Sequence, residues 1–239
     1  MKTALITGGA ARIGAEIAKT LHDNQFDVII HYNKSADQAK ALCDSFNKKR
    51  RNSAQRVRAN LSSIDELNQL IKSINSIDLL VNNASVFYPT PLEKCNNNEW
   101  DDTMNINVRA PFILSKGLSK KLQEVKGCII NIVDIHAERP LKNYAIYNIS
   151  KAGIKTLTKT LAKELAPDVR VCGVSPGSIL WPEEKAELAP YKKRIMLERI
   201  ALKRQGSPTD IAEAVLFLAN ANYITGEVIN IDGGRSLHQ

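Results

Sequence analysis

The sequence predicts a doubly wound α/β domain, a parallel seven-stranded sheet with helices on both faces. Three observations lead there. Strand-like apolar runs alternate with longer segments of helical period almost throughout. Several of those runs are continuous in Val, Ile and Leu, as strands buried on both faces are. The first run passes through a glycine-rich turn straight into a helix. Alternation of this kind implies right-handed crossovers and therefore parallel strands. No repeat, low-complexity tract or Pro/Gly-rich linker divides the 239 residues, so 1–239 is expected to form a single domain.

The elements follow in order. A strand over Thr3–Ile6 ends in Thr7-Gly8-Gly9-Ala10-Ala11-Arg12-Ile13-Gly14, and a helix follows over Arg12–Asp23. Small residues let this turn approach a pyrophosphate, which the free N–H groups of the helix N-terminus then hold. The literal G-x-G-x-x-G is absent. Arg12 stands where the related turn carries glycine, and its guanidinium would lie beside the diphosphate. The next strand, Val28–Tyr32, runs into His31-Tyr32-Asn33-Lys34-Ser35. About 20 residues past the turn, an NAD-binding chain offers a carboxylate to the ribose 2′-hydroxyl. Here no acid is present, and Lys34 with the Ser35 hydroxyl suits a 2′-phosphate. NADPH is the expected cofactor.

A helix over Ala36–Lys49 closes on Lys48-Lys49-Arg50-Arg51, cations that complement its C-terminal dipole. Strand Gln55–Ala59, helix Ser63–Ser73 and strand Leu79–Asn82 follow, then Asn82-Asn83-Ala84-Ser85. Beyond them the pattern gives helix Val108–Glu124, strand Cys128–Val133, a long helix Tyr144–Leu165 and strand Arg170–Val174. A Pro- and charge-rich stretch, 177–206, reads as a substrate lid with a short helix near Tyr191–Arg199. It follows the C-terminal end of a strand, where open α/β sheets bind ligands. Trp181 is a candidate to close over the pocket. Helix Pro208–Ala219 and strand Val228–Ile231 complete the chain.

Two features carry chemistry. In Tyr147-Asn148-Ile149-Ser150-Lys151 the phenol and the ammonium share a helix face at i and i+4. An adjacent ammonium favours phenolate, so Lys151 is expected to lower the Tyr147 pKa towards a value useful for proton transfer. Asp134 lies at the end of the fifth strand, expected within direct or one-water reach of Tyr147. An ionised carboxylate there would repel the lone pairs of a ketone oxygen. Reduction of a C=N bond instead requires a ring nitrogen to gain a proton as carbon receives hydride, and such heterocycles offer N–H groups that a carboxylate accepts.

Taken together, the glycine-rich turn, N-N-A after strand four, Asn107, Y-x-x-x-K, Ser175-Pro176-Gly177 and the tail Thr225-Gly226-Glu227…Ile231-Asp232-Gly233-Gly234 resemble the short-chain dehydrogenase/reductase family over essentially the whole chain. The resemblance implies a Rossmann-like NADP(H)-dependent oxidoreductase. Arg12 replaces the family's glycine and Asp134 its serine. With His31-Tyr32, Lys34-Ser35 and the run from Asn82 to Pro91, these departures are similar to the pteridine-reducing branch. That likeness makes Asp134, Tyr147 and Lys151 catalytic, with Asn107 supporting a water path. It places Gly8, Arg12, Ile13, Gly14, His31, Tyr32, Asn33, Lys34, Ser35, Asn60, Leu61, Asn83, Ala84, Ser85, Tyr147, Lys151, Pro176, Gly177 and Ser178 along NADPH. Around a pterin substrate it places Arg12, Ser85, Phe87, Asp134, Tyr147 and Trp181, Phe87 stacking on the ring. Asn60 stands where an aspartate is expected near the adenine, and Val86 where a second serine is expected. The resemblance also implies a homotetramer assembled through 108–124 and 144–165. Reduction of a 3-oxoacyl carrier or another ketone is the competing reading. A non-catalytic NADPH sensor is the third, disfavoured by the presence of both Tyr147 and Lys151.

Composition bounds the class, the basic surplus being compatible with a nucleic acid, an anionic small molecule or solubility alone. The net charge is +8, from 33 Lys+Arg against 25 Asp+Glu, and one short cationic run gives no reason to expect a nucleic-acid partner. Cys43, Cys95, Cys128 and Cys172 are far apart with no C-x-x-C, and the four histidines are scattered. Neither a disulfide framework nor a metal site is expected, which suits a reducing cytoplasm. No stretch reaches the ~18 apolar residues of a membrane span, and the N-terminus lacks the pattern of a signal peptide.

Overall fold

In the computed structural model, which describes residues 1–181 and 189–238, seven parallel strands form one sheet in the order β3-β2-β1-β4-β5-β6-β7. The strands are β1 (Lys2–Ile6), β2 (Phe26–Tyr32), β3 (Ala54–Arg58), β4 (Leu79–Asn82), β5 (Cys128–Ile132), β6 (Arg170–Pro176) and β7 (Val228–Ile231). The helices are α1 (Arg12–Asp23), α2 (Ala36–Lys49), α3 (Ile64–Ser73), α4 (Asn97–Met104), α5 (Ala110–Glu124), α6 (Ala145–Glu164), α7 (Pro190–Glu198) and α8 (Pro208–Asn220).

The period of two along each strand divides the core into two layers. On one face Ala4, Ile6, Val28, Ile30, Val81, Ile130 and Val174 pack with Ile17 and Leu21 of α1 and with Ile211, Val215 and Leu218 of α8. On the other, Leu5, Ile29, Leu80, Ile129 and Val171 meet Leu67 and Leu70 of α3 and Leu114, Leu118 and Leu122 of α5. Burial on both faces explains the continuous apolar runs of the central strands. It does not extend to the edges, where β3 and β7 are partly exposed.

One helix is longer than the apolar period indicates. α4 starts at a capping box, Asn96 with Glu99. It continues through a π-helical turn, Asn105–Arg109, into α5. The extra residue in that turn shifts the helical phase, so the two halves do not share one apolar stripe. Two residues of the cationic run at the end of α2 are engaged locally. Lys49 pairs with Asp23 at 2.9 Å, and Arg50 holds the Asp27 carboxylate and the Phe26 carbonyl. The short helix expected within 177–206 is α7, while residues 182–188 of that stretch, read from the sequence as a lid, lie outside the described residues. Among those described, no helix is long and apolar enough to cross a membrane.

Candidate active site

Strand order reverses between β1 and β4, and there the turns beyond their C-terminal ends diverge into a crevice. Thr7 fastens the two turns together. Its Oγ1 accepts the N–H groups of Asn83 at 2.9 Å and Ala84 at 3.0 Å, while Asn83 Nδ2 donates to the Thr7 carbonyl at 2.9 Å. Gly8 adopts φ +61°, and a Cβ on Gly14 would fall 2.1 Å from the Gly8 carbonyl oxygen. The turn is therefore closed tightly by glycine at both ends, even without the third glycine. Arg12 takes that place at φ +52°, a left-handed conformation that glycine adopts without strain. The first turn of α1 carries no acid.

His31 braces the turn from below. Buried on β2, its Nδ1 accepts the Gly8 N–H at 3.1 Å, and its Nε2–H donates to the Ala59 carbonyl at 3.0 Å. Burial lowers its pKa, which preserves the neutral ring that this pairing needs.

A cavity of about 830 Å³ opens over the crevice. Of the sequence-predicted site residues, its lining includes Gly8, Arg12, Ile13, Gly14, His31, Asn33, Leu61, Asn83, Ala84, Ser85, Phe87, Asp134, Tyr147, Lys151, Pro176, Gly177, Ser178 and Trp181. Tyr32, Lys34, Ser35, Asn60 and Asn107 fall outside the lining. Lys34 is exposed just beyond β2. Ser35 takes the N-cap position of α2, but its hydroxyl makes no capping bond. Asn107, on the π turn, spends its amide on the Val86 carbonyl (3.1 Å), the Val86 N–H (2.9 Å) and Ser150 Oγ (3.1 Å). It thereby fixes the loop that carries Phe87.

Asp134, Tyr147 and Lys151 meet where the C-terminal end of β5 faces the first turns of α6. Tyr147 Oη donates to Asp134 Oδ2 at 2.8 Å, while Asp134 Oδ1 accepts the His136 N–H at 2.8 Å. Asp134 thus caps the short turn after β5 and holds the phenol at once. Lys151 Nζ donates to the Ile132 carbonyl at 3.1 Å and lies 5.5 Å from the Tyr147 ring centre. The pKa relation differs from the expected one. Burial, and then the Asp134 carboxylate, push the Tyr147 phenol well above the ordinary tyrosine value. Burial of Lys151 brings its ammonium down to about 8. Instead of a phenol drawn towards ionisation by lysine, the site holds a protonated one aimed at a carboxylate.

Phe87 stacks on Tyr144 with centroids 4.6 Å apart and meets Tyr147 edge-on at 4.8 Å. With Trp181, whose carbonyl receives an Arg12 N–H at 3.4 Å, these rings give the cavity aromatic walls. His136 sits at the rim, its Nδ1 paired with the Arg139 carbonyl. Tyr144 and Arg235 also line the cavity, and neither is assigned to the site from the sequence. Both are placed by tertiary structure. The one local signal for Arg235 is its position directly after two glycines that follow the last strand.

A family model described as enoyl-(acyl carrier protein) reductase matches residues 8–236. The chain is 37% identical to a 3-oxoacyl-[acyl-carrier-protein] reductase of Staphylococcus epidermidis, covering 98% of each chain. It is 32% identical to pteridine reductase 1 of Leishmania tarentolae, over 98% of this chain and 96% of that one. A 3-oxoacyl-[acyl-carrier-protein] reductase of Aquifex aeolicus is 35% identical over 98% and 96%.

Proposed function

The chain belongs to the short-chain dehydrogenase/reductase family, and we propose that it acts as an NADPH-dependent reductase of dihydropterins. The observation that carries this reading is the 2.8 Å bond from the Tyr147 hydroxyl to Asp134. A ketone reductase needs a second hydroxyl-type donor at that place, and a carboxylate is repelled by a ketone oxygen.

The residues fit the phosphorylated dinucleotide. The glycine turn, the acid-free start of α1 and Arg12 suit the diphosphate, and Lys34 with Ser35 suits the 2′-phosphate. Asn33, Leu61, Asn83 and Ala84 would flank the adenosine half. Lys151, Pro176, Gly177 and Ser178 would hold the nicotinamide end. When bound, the reduced dinucleotide supplies a hydride to a carbon of the substrate C=N bond. Tyr147 turns its hydroxyl from Asp134 to the ring nitrogen, the O–H bond breaks and an N–H bond forms. Lys151 offsets the phenolate left behind, and Asp134 accepts an N–H of the heterocycle. Phe87 stacks on the flat ring and fixes its angle of approach, with Asn107 holding Phe87's loop. Ser85, Arg12 and Trp181 border the substrate.

A second reading, reduction of a 3-oxoacyl carrier, is supported by whole-chain similarity: the 3-oxoacyl-[acyl-carrier-protein] reductases reach 37% identity, against 32% for the pteridine reductase. The two readings part on one assay. NADPH consumption is expected with dihydrobiopterin and not with acetoacetyl-CoA. Turnover of acetoacetyl-CoA alone would establish the second reading.

The assembly proposed is a homotetramer of this chain. Trp100, Phe112 and Ile149, on α4, α5 and α6, are 42%, 45% and 48% exposed. A second copy packed on these helices would cover this apolar surface.

A further inference from the structure

We propose that Arg235 is a substrate-binding residue of this cavity, a guanidinium that takes an acceptor atom of the heterocycle beside Asp134. The proposal rests on the dihydropterin reading. After β7 the chain turns through Gly233 and Gly234, both left-handed at φ +62° and +78°. The Asp232 carboxylate builds this turn, Oδ1 accepting the Gly234 N–H at 2.9 Å and Oδ2 the Ser236 N–H at 2.7 Å. From outside, the Leu202 N–H donates to the Gly233 carbonyl at 3.1 Å, and the Arg139 guanidinium binds the Ser236 carbonyl. A turn held at so many points fixes the direction of the side chain it carries.

That side chain points inward. Arg235 is half-buried, lines the same cavity as Asp134 and Tyr147, and donates to Ser178 Oγ just beyond β6. Its charge is attracted by Asp134 and Asp232 and opposed by Arg199. It stands at the β6–β7 end of the cavity, whereas the phosphate turn and Arg12 belong to the β1 end. A guanidinium presents five donors in a rigid fork, so the bond to Ser178 engages only part of it. Partial desolvation strengthens the remaining donors towards an acceptor. Asp134 and Arg235 together present an acceptor and a donor to the same cavity. That pair is complementary to a ring edge on which N–H and C=O adjoin, as in a pterin, and has no counterpart on a simple ketone.

The test compares Arg235→Met and Arg235→Lys with the wild type, using dihydrobiopterin turnover and NADPH affinity by fluorescence quenching. Arg235→Met is expected to raise KM for dihydrobiopterin at least about tenfold, the loss of one charge-assisted bond, with the NADPH Kd within about twofold. Arg235→Lys, a point charge without the fork, is expected to fall between. A wild type active on dihydrobiopterin whose Met variant keeps its KM overturns the proposal alone. So does a variant whose loss is confined to NADPH affinity, since Arg235 would then serve the cofactor. A wild type that reduces acetoacetyl-CoA and not dihydrobiopterin overturns the underlying reading, and the proposal with it.

Discussion

At Tyr147 two influences act in the same direction. Burial and the Asp134 carboxylate both keep the phenol protonated, which suits the proton-donating role proposed for Tyr147. Lys151 sets the opposite limit. Its ammonium, brought down to about 8 by burial, is charged below that pH and neutral above it. The charge that offsets the phenolate therefore disappears as pH rises, and kcat/KM is expected to fall through pH 8. Tyr147→Phe should be inactive at every pH while still binding NADPH. A profile flat to pH 9.5 would contradict the role given to Lys151. The Tyr147/Lys151 pair was legible because i and i+4 must share a helix face. The direction of the Tyr147 shift was not, because it is decided by desolvation and by one carboxylate oxygen thirteen residues away. Arg235 was less legible still, since no period or spacing aims it and only the Asp232-capped turn does.

Elements show the same division between local and tertiary information. The strand–turn–helix at the start of the chain was readable from an apolar run, a glycine-rich turn and a helical period in succession, and the structure adds what each glycine excludes. A Cβ at Gly14 would meet the Gly8 carbonyl oxygen at 2.1 Å and Asn83 Nδ2 at 2.6 Å, so α1 would have to move away from the β4 turn. Gly14→Ala is expected to weaken NADPH binding more than tenfold and to lower Tm. Near-native Kd by fluorescence titration would show that the turn tolerates the shift. The α4–α5 helix escaped the apolar pattern over its first turns because α4 is almost wholly polar and the π turn breaks the phase. That break presents Asn107 to Val86 and Ser150, so the part hardest to read from sequence is the part that fixes the loop carrying Phe87.

Over the whole molecule, the alternation of strands and helices carried the topology, because crossover handedness leaves few ways to arrange parallel strands. What it left open was whether the domain meets a second copy, and which substrate class it takes. Sedimentation at micromolar concentration is expected to give a tetramer, and Trp100→Glu with Phe112→Glu a smaller species. A wild-type monomer would contradict that assembly. The central claim is that a carboxylate at position 134 commits the site to C=N chemistry, and Asp134→Ser tests it most directly. In this variant kcat/KM for dihydrobiopterin is expected to fall at least about 100-fold, the scale of a lost acid–base contribution, with the NADPH Kd unchanged. Undiminished dihydrobiopterin reduction by Asp134→Ser would contradict it.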